Sequence, residues 1–228
     1  MSGRSSADSS ERARGHRLGR QLRALREARG WTRPQLAAAA SVPLRTLTRL
    51  ETESVAQPGL FIVAALAEAL EVTVDALVAA AGPVPGLWST GYEGRTIDSF
   101  VAALVDSGVD AVADVRLTPI SRKPGFSKSR LSAALADADI AYLHLRSLGN
   151  PKDNRAPFWD GRVGEGLAAF ADVMAAEPAL RELDELAELA VERSVAVLCF
   201  EQDERRCHRQ AVLAELHRRT ALPVSALA

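Results

Sequence analysis

The sequence predicts an α/β protein preceded by an all-α domain: a five-helix helix-turn-helix bundle, then a mostly parallel sheet flanked by helices. Three observations carry this. Hydrophobic residues recur at helical spacing throughout 18–77. Gly82-Pro83-Val84-Pro85-Gly86 then ends one helix and starts no other. Beyond it, short apolar runs alternate with helical stretches, as in a parallel sheet covered on both faces. The expected organisation is a disordered arm over 1–15, a helix-turn-helix domain over 16–81, a linker over 82–86 and an α/β domain over 87–228.

Each element has a local reason. Residues 1–15 are rich in Ser, Gly and Arg and show no period. Leu18, Leu22 and Leu25 define a first helix, stopped at Gly30. Thr32-Arg33-Pro34-Gln35 fits a capping box, in which Thr and Gln satisfy each other's backbone donors, with Pro in the tolerant first turn. A break at Ser41-Val42-Pro43 precedes a third helix reaching about Glu51. Pro58-Gly59 separates it from an apolar helix over 60–70, and Thr73 opens a fifth. After the linker, 87–90, 111–115, 141–145 and 195–200 read as buried strands. Helical stretches at 97–107, 128–138, 166–175, 180–192 and 206–219 lie between and after them.

Composition excludes several classes. With 47% apolar residues among 228, the chain can bury a core. The longest apolar run, 60–67, is far short of the about 20 residues that span a bilayer. Residues 1–16 have no apolar stretch of a secretory signal, and two cysteines, Cys199 and Cys207, make no disulfide scaffold. A cytoplasmic protein without membrane contact is expected. The net charge of −1 hides an asymmetry: residues 1–50 carry 11 Arg against Asp8, Glu11 and Glu27, a balance of +8. Residues 51–82 stand at −5 and residues 83–228 at −4. A basic block at one end points to a polyanion there.

In the third helix, at 100° per residue, Leu47 and Leu50 share one face while Arg45, Thr48 and Arg49 fall on the other. Arg pairs bidentately with guanine and Thr reaches phosphate or a thymine methyl. The candidate DNA-contacting residues are therefore Arg33, Arg45, Thr46, Thr48 and Arg49, with Arg33 on the backbone. The stretch Leu25-Arg26-Glu27-Ala28-Arg29-Gly30-Trp31-Thr32, then Leu36-Ala37, Ser41-Val42 and Thr46 to Glu51 resembles the phage-repressor (xenobiotic-response-element) helix-turn-helix family over 17–80. Ser41 stands where that family usually has Gly, and Arg33 where it often has Gln. The resemblance implies binding of double-stranded operator DNA, as a homodimer.

In parallel α/β sheets ligands bind beyond the carboxyl ends of the strands. There the sequence places Gly91, Tyr92, Arg95, Asp114, Arg116, Ser121, Arg122, His144 and Arg209, whose arginines favour an anionic or nucleotide ligand. The same residues, with Pro124-Gly125-Phe126, Leu148-Gly149, Cys199-Phe200-Glu201 and Cys207-His208-Arg209, are similar to the domain-of-unknown-function family 488 over about 87–219. That resemblance implies an α/β fold and a pocket, and names no reaction and no cofactor.

Glu201, Cys207 and His208 are the candidate catalytic residues: a helix-start cysteine beside His and Arg is placed to ionise, and Glu with His forms an acid/base pair. The plain alternatives are a buried cysteine and a capping salt bridge. Cys199 reads as core. Cys199 and Arg205 match the Cys-x5-Arg spacing of cysteine phosphatases, but Glu201, Asp203 and Glu204 between them would repel phosphate. Zinc held by Cys199, Cys207, His208 and His144 fits no common ligand spacing, so no metal is expected. Two functions remain open: a DNA-binding transcriptional regulator whose α/β domain takes an anionic effector, or an enzyme on nucleotides or nucleic acid that the helix-turn-helix targets or autoregulates.

Overall fold

The structure, a computed structural model, describes residues 3–52, 58–82 and 84–227. Met1 and Ser2 of the expected arm and Pro83 of the expected linker lie outside the described residues. The chain divides into two compact units, Met1–Pro83 and Val84–Ala228.

The first unit holds α1 (Gly3–Ala28), α2 (Arg33–Ala39), α3 (Leu44–Thr52), α4 (Leu60–Ala69) and α5 (Val74–Ala80). The α2 start is the expected capping box: Gln35 N donates to Thr32 Oγ1 at 3.4 Å and Thr32 N to Gln35 Oε1 at 2.7 Å. Leu22, Leu36, Leu47, Leu66, Leu70 and Leu77 have no exposed surface and meet in one core. Each such leucine contributes about 1.5–3 kcal/mol. Helix α1 approaches α3 closely at Gly19, where a β-carbon would stand 1.9 Å from the Leu50 carbonyl oxygen.

Helix α1 begins at Gly3, within the segment expected as a disordered arm over 1–15. Composition argued against a packed face there. Helix propagation, however, needs only a nucleus and no breaker, and no proline interrupts the chain before Leu18.

The second unit alternates strands and helices: β1 (Gly86–Gly91), α6 (Ile97–Asp106), β2 (Ala111–Asp114), α7 (Lys128–Asp137), β3 (Ala141–His144), α8 (Ala156–Trp159), α9 (Val163–Ala175), α10 (Glu177–Glu192), β4 (Ser194–Cys199), α11 (Arg209–Thr220) and β5 (Val224–Ala226). The strand order is β3-β2-β4-β1-β5 and every pairing is parallel, with Trp88 opposite Ala196 and Asp114 opposite Leu198. Strand β5, three residues against β1, is absent from the sequence expectation because so short a run carries no period.

Alternation along β4 sorts the two faces. Val195, Val197 and Cys199 pack with Phe170 of α9, Leu183 and Leu186 of α10 and Leu213 of α11. Ala196 and Leu198 pack with Phe100 and Leu104 of α6 and Leu131 and Leu135 of α7. The chain thus leaves β2 toward one face and the adjacent β4 toward the other. The carboxyl ends of these neighbours form the topological switch point, where α/β sheets open a crevice. Among the described residues, no helix is long and apolar enough to cross a membrane.

Candidate functional site

In the first unit, α2, the turn and α3 place the predicted face as follows. Leu47 and Leu50 are buried, Arg45 and Arg49 are exposed, and Thr46 and Thr48 are half-buried. Arg33 is half-buried and donates from Nε to Glu51 Oε2 at 2.7 Å. This tie orients the guanidinium at the start of α2 and leaves about a third of the side chain exposed. Glu51 is sealed from solvent and also accepts from Arg26 Nε at 2.7 Å and Nη2 at 2.8 Å. One carboxylate therefore pins α1 and α2 to α3. Ser41, where the resembled family usually has Gly, takes a φ of 52°, the left-handed region that favours glycine.

In the second unit a cavity of about 290 Å³ opens at the switch point. Tyr92 after β1, and Arg116, Ser121 and Arg122 after β2, form part of its wall. Asn150, Arg155, Phe158 and Trp159, from the connection after β3, form another part. Cys199, Phe200, Glu201, Arg206, Cys207 and His208, at and after the end of β4, complete it. Arg122 and Arg206 are exposed and Arg155 is half-buried, and none of the three is ion-paired among the described residues. Trp159 (62% exposed) and Phe200 (44%) offer open aromatic surface beside these cations.

Several of the expected ligand residues, including Arg116 and Tyr92 of the wall, make internal bonds. Arg116 is buried and pairs with Asp114, Nε to Oδ1 at 2.8 Å and Nη2 to Oδ2 at 2.6 Å. It also donates to the Tyr92 hydroxyl at 3.0 Å and the Phe126 carbonyl at 2.9 Å, and Tyr92 stacks on Phe126 at 4.3 Å. Asp114, fully buried, also accepts from the Arg116 backbone amide at 3.1 Å and from the Tyr142 hydroxyl at 2.6 Å. Arg209, expected on the rim, is 1% exposed and spends its guanidinium on Ser89 Oγ (2.8 Å), the Glu201 carbonyl (2.8 Å) and the Gln202 carbonyl (3.2 Å). A buried arginine with three oxygen acceptors fixes a loop instead of meeting a ligand. Arg95 donates to the Leu227 carbonyl at 3.1 Å, and His144 contacts the Arg116 carbonyl at 3.0 Å. Gly91 is required by contact: a β-carbon there would stand 1.9 Å from the Glu201 carbonyl oxygen. Arg205 pairs with Asp203 at the surface and lines no part of the cavity.

The cavity wall includes a polar cluster. Cys199 ends β4, while Cys207 and His208 lead into α11, and all three are buried. His208 Nδ1 lies 3.9 Å from Cys199 Sγ and 3.7 Å from Cys207 Sγ. Its Nε2 lies 3.1 Å from the Val115 carbonyl oxygen, an acceptor, so Nε2 carries the proton and Nδ1 faces both sulfurs. The ring is set edge-on to Phe170 at 5.0 Å. The Cys207 thiol, hydrogen-bonded to Cys199, and the adjacent imidazole hold the Cys199 thiol well below its ordinary value. Burial pushes Cys207 up. Burial and the Cys199 charge push Glu201 up to about 7. Cys199, assigned to the core on its apolar run, thus belongs to the cluster with the residues expected to react. Its place at a strand's carboxyl end was the signal.

Comparison with protein families matches residues 17–81 to "Helix-turn-helix domain" and residues 96–216 to "Domain of unknown function DUF488". Neither curated proteins nor solved structures yield a match.

Proposed function

The chain belongs to the DUF488 family and carries a helix-turn-helix domain ahead of it, and on that premise we propose a sequence-specific DNA-binding transcriptional regulator whose α/β domain binds an anionic effector. The observation that carries the first half is the α3 surface. Arg45 and Arg49 stand exposed on a helix whose other side, Leu47 and Leu50, is locked into the domain core. That is how a recognition helix presents cations to the major groove. Binding as a homodimer is part of the proposal, supported by Leu60 and Phe61 at the start of α4, 67% and 87% exposed.

For the α/β domain, Arg122, Arg155 and Arg206 beside Trp159 and Phe200 support a ligand that is anionic at one end and flat at the other. Nucleotides have that chemistry, since bases stack on aromatic faces and arginine pairs with phosphate. The test of DNA binding is a gel shift against selected duplexes. Arg45→Ala/Arg49→Ala should abolish the specific band, and equal binding by the double variant would overturn the assignment.

The Cys199, Cys207, His208 and Glu201 cluster on the cavity wall favours a second reading, an enzyme acting on nucleotides or nucleic acid. Cys199 would be the nucleophile and His208 its base. Turnover of a nucleotide or oligonucleotide that Cys199→Ser abolishes would support it. Absence of any such turnover leaves the regulator alone.

A further inference from the structure

Beyond the effector reading, and independent of it, stands the arrangement of donor atoms on the cavity wall. Cys199 Sγ, Cys207 Sγ and a ring nitrogen of His208 lie within 4.8 Å of one another, and all three residues are buried. We propose that Cys199, Cys207 and His208 bind one divalent cation of the zinc type, with the fourth position open to the cavity. The site faces the cavity.

Four observations carry it. The first is distance. Zinc bonds of about 2.3 Å to sulfur and about 2.0–2.1 Å to nitrogen, at a tetrahedral angle, set sulfur and nitrogen about 3.6 Å apart. The structure has 3.7 and 3.9 Å, so closure needs shifts of a few tenths of an ångström. The second is tautomer. Nε2–H donates to the Val115 carbonyl, which leaves the Nδ1 lone pair directed at both sulfurs. Ligating histidines are normally fixed by such an outer bond. The third is the sulfur environment: the Arg209 amide donates to Cys207 Sγ at 3.4 Å, a bond that supports a thiolate ligand. The fourth is Glu201 on the same cavity wall, outside the three clustered donors, whose Oε2 is closed off from solvent and has no hydrogen-bond partner among the described residues. A sealed carboxylate oxygen without a donor is costly, and a cation supplies what it lacks.

Softness selects the metal class. Two thiolates and an imidazole favour zinc over magnesium or calcium, which take oxygen ligands. The spacing Cys-x7-Cys-His escapes short zinc patterns because a strand end and a helix start supply the ligands. His144, the fourth residue suggested by the sequence, is not in the cluster.

The experiment uses the full chain, reduced and stripped with a chelator, then titrated with cobalt(II) and zinc(II). One cobalt per chain with a sulfur-to-cobalt charge-transfer band, displaced by zinc, is expected. Cys199→Ser and His208→Ala should weaken zinc by at least about 100-fold, more than the 10–100-fold typical of an outer-shell loss. His217→Ala, at the exposed end of α11, should bind as the wild type does. Circular dichroism checks that each variant is folded. X-ray absorption of the zinc-loaded wild type needs no variant and should find two sulfurs at about 2.3 Å. Two free thiols with no cobalt–thiolate band would overturn the proposal. So would a Cys199–Cys207 disulfide that forms in air while reduced protein ignores zinc.

Discussion

Glu51→Gln measures how far the helix-turn-helix domain depends on one buried carboxylate. The Glu51 side chain is 0% exposed and takes three short bonds, two from Arg26 and one from Arg33. Glutamine keeps one acceptor oxygen and turns its amide donors toward the guanidinium groups. Arg26, 7% exposed, would keep the Trp31 carbonyl at 2.8 Å and the solvent-exposed Glu27 carboxylate at 3.3 Å, neither of which replaces the paired bonds from a buried carboxylate. Removing one partner of such a pair costs about 3–5 kcal/mol. The Arg33 half adds less than about 1 kcal/mol, since that side chain is 35% exposed. In a small domain each kcal/mol moves Tm by roughly 4–8 °C, so the N-terminal transition should fall by at least about 12 °C. Differential scanning calorimetry of the full chain, with circular dichroism at 222 nm (about the helix minimum), reads it. The C-terminal transition should not move. Arg33→Ala, in the same scan, should cost far less. A Glu51→Gln transition within about 2 °C of wild type would refute the argument that this carboxylate holds the domain together.

Three further outcomes follow from the geometry. Ser41→Gly relieves the left-handed φ of 52° and should stabilise the N-terminal domain by about 1 kcal/mol, read as a rise in Tm. Gly91→Ala forces a β-carbon to within 1.9 Å of the Glu201 carbonyl oxygen, between segments tied by Tyr92 N to Phe200 O at 3.1 Å. It should lower the C-terminal transition by more than about 1–3 kcal/mol, and an unchanged midpoint would contradict the packing. Hydrogen bonds from Arg218 and then Arg219 hold Glu215 at about 2, below its ordinary 4.5. The native state therefore takes up this proton less readily than the unfolded chain. The stabilisation is present above about pH 4.5 and is lost as pH falls toward 2. Glu215→Gln should thus differ from wild type by less than about 1 kcal/mol near neutrality and converge with it in acid, as Tm against pH will report.

What the sequence disclosed depended on how local each cause was. The Thr32–Gln35 cap, the Gly30 stop and the strand runs are set within a few residues, and they lie where the pattern places them. The rule that ligands gather past strand ends points to the end of the sheet at which the cavity opens. It did not sort the arginines there, because sorting depends on acceptors from distant segments. Arg209 is absorbed by Ser89, 120 residues away, while Arg155 reaches the cavity from a connection that no strand-end search covers. The tie of Arg33 to Glu51 is likewise not legible in the sequence, because it joins residues 18 apart. Cys199 packs in the core as its apolar run predicts; that Cys207 and His208 stand beside it is set by the start of α11, which the strand pattern does not show.

The central claim is that an anionic effector occupies the cavity walled by Arg122, Arg155 and Arg206. Native mass spectrometry of the gently purified full chain tests it most directly, by identifying what co-purifies without assuming a reaction. A stoichiometric anionic adduct, of nucleotide-like chemistry, is expected, and it should be lost from Arg122→Ala/Arg155→Ala/Arg206→Ala while that variant stays folded. An adduct that persists in the triple variant, or a wild-type chain that takes up no anion from a nucleotide panel, would contradict it.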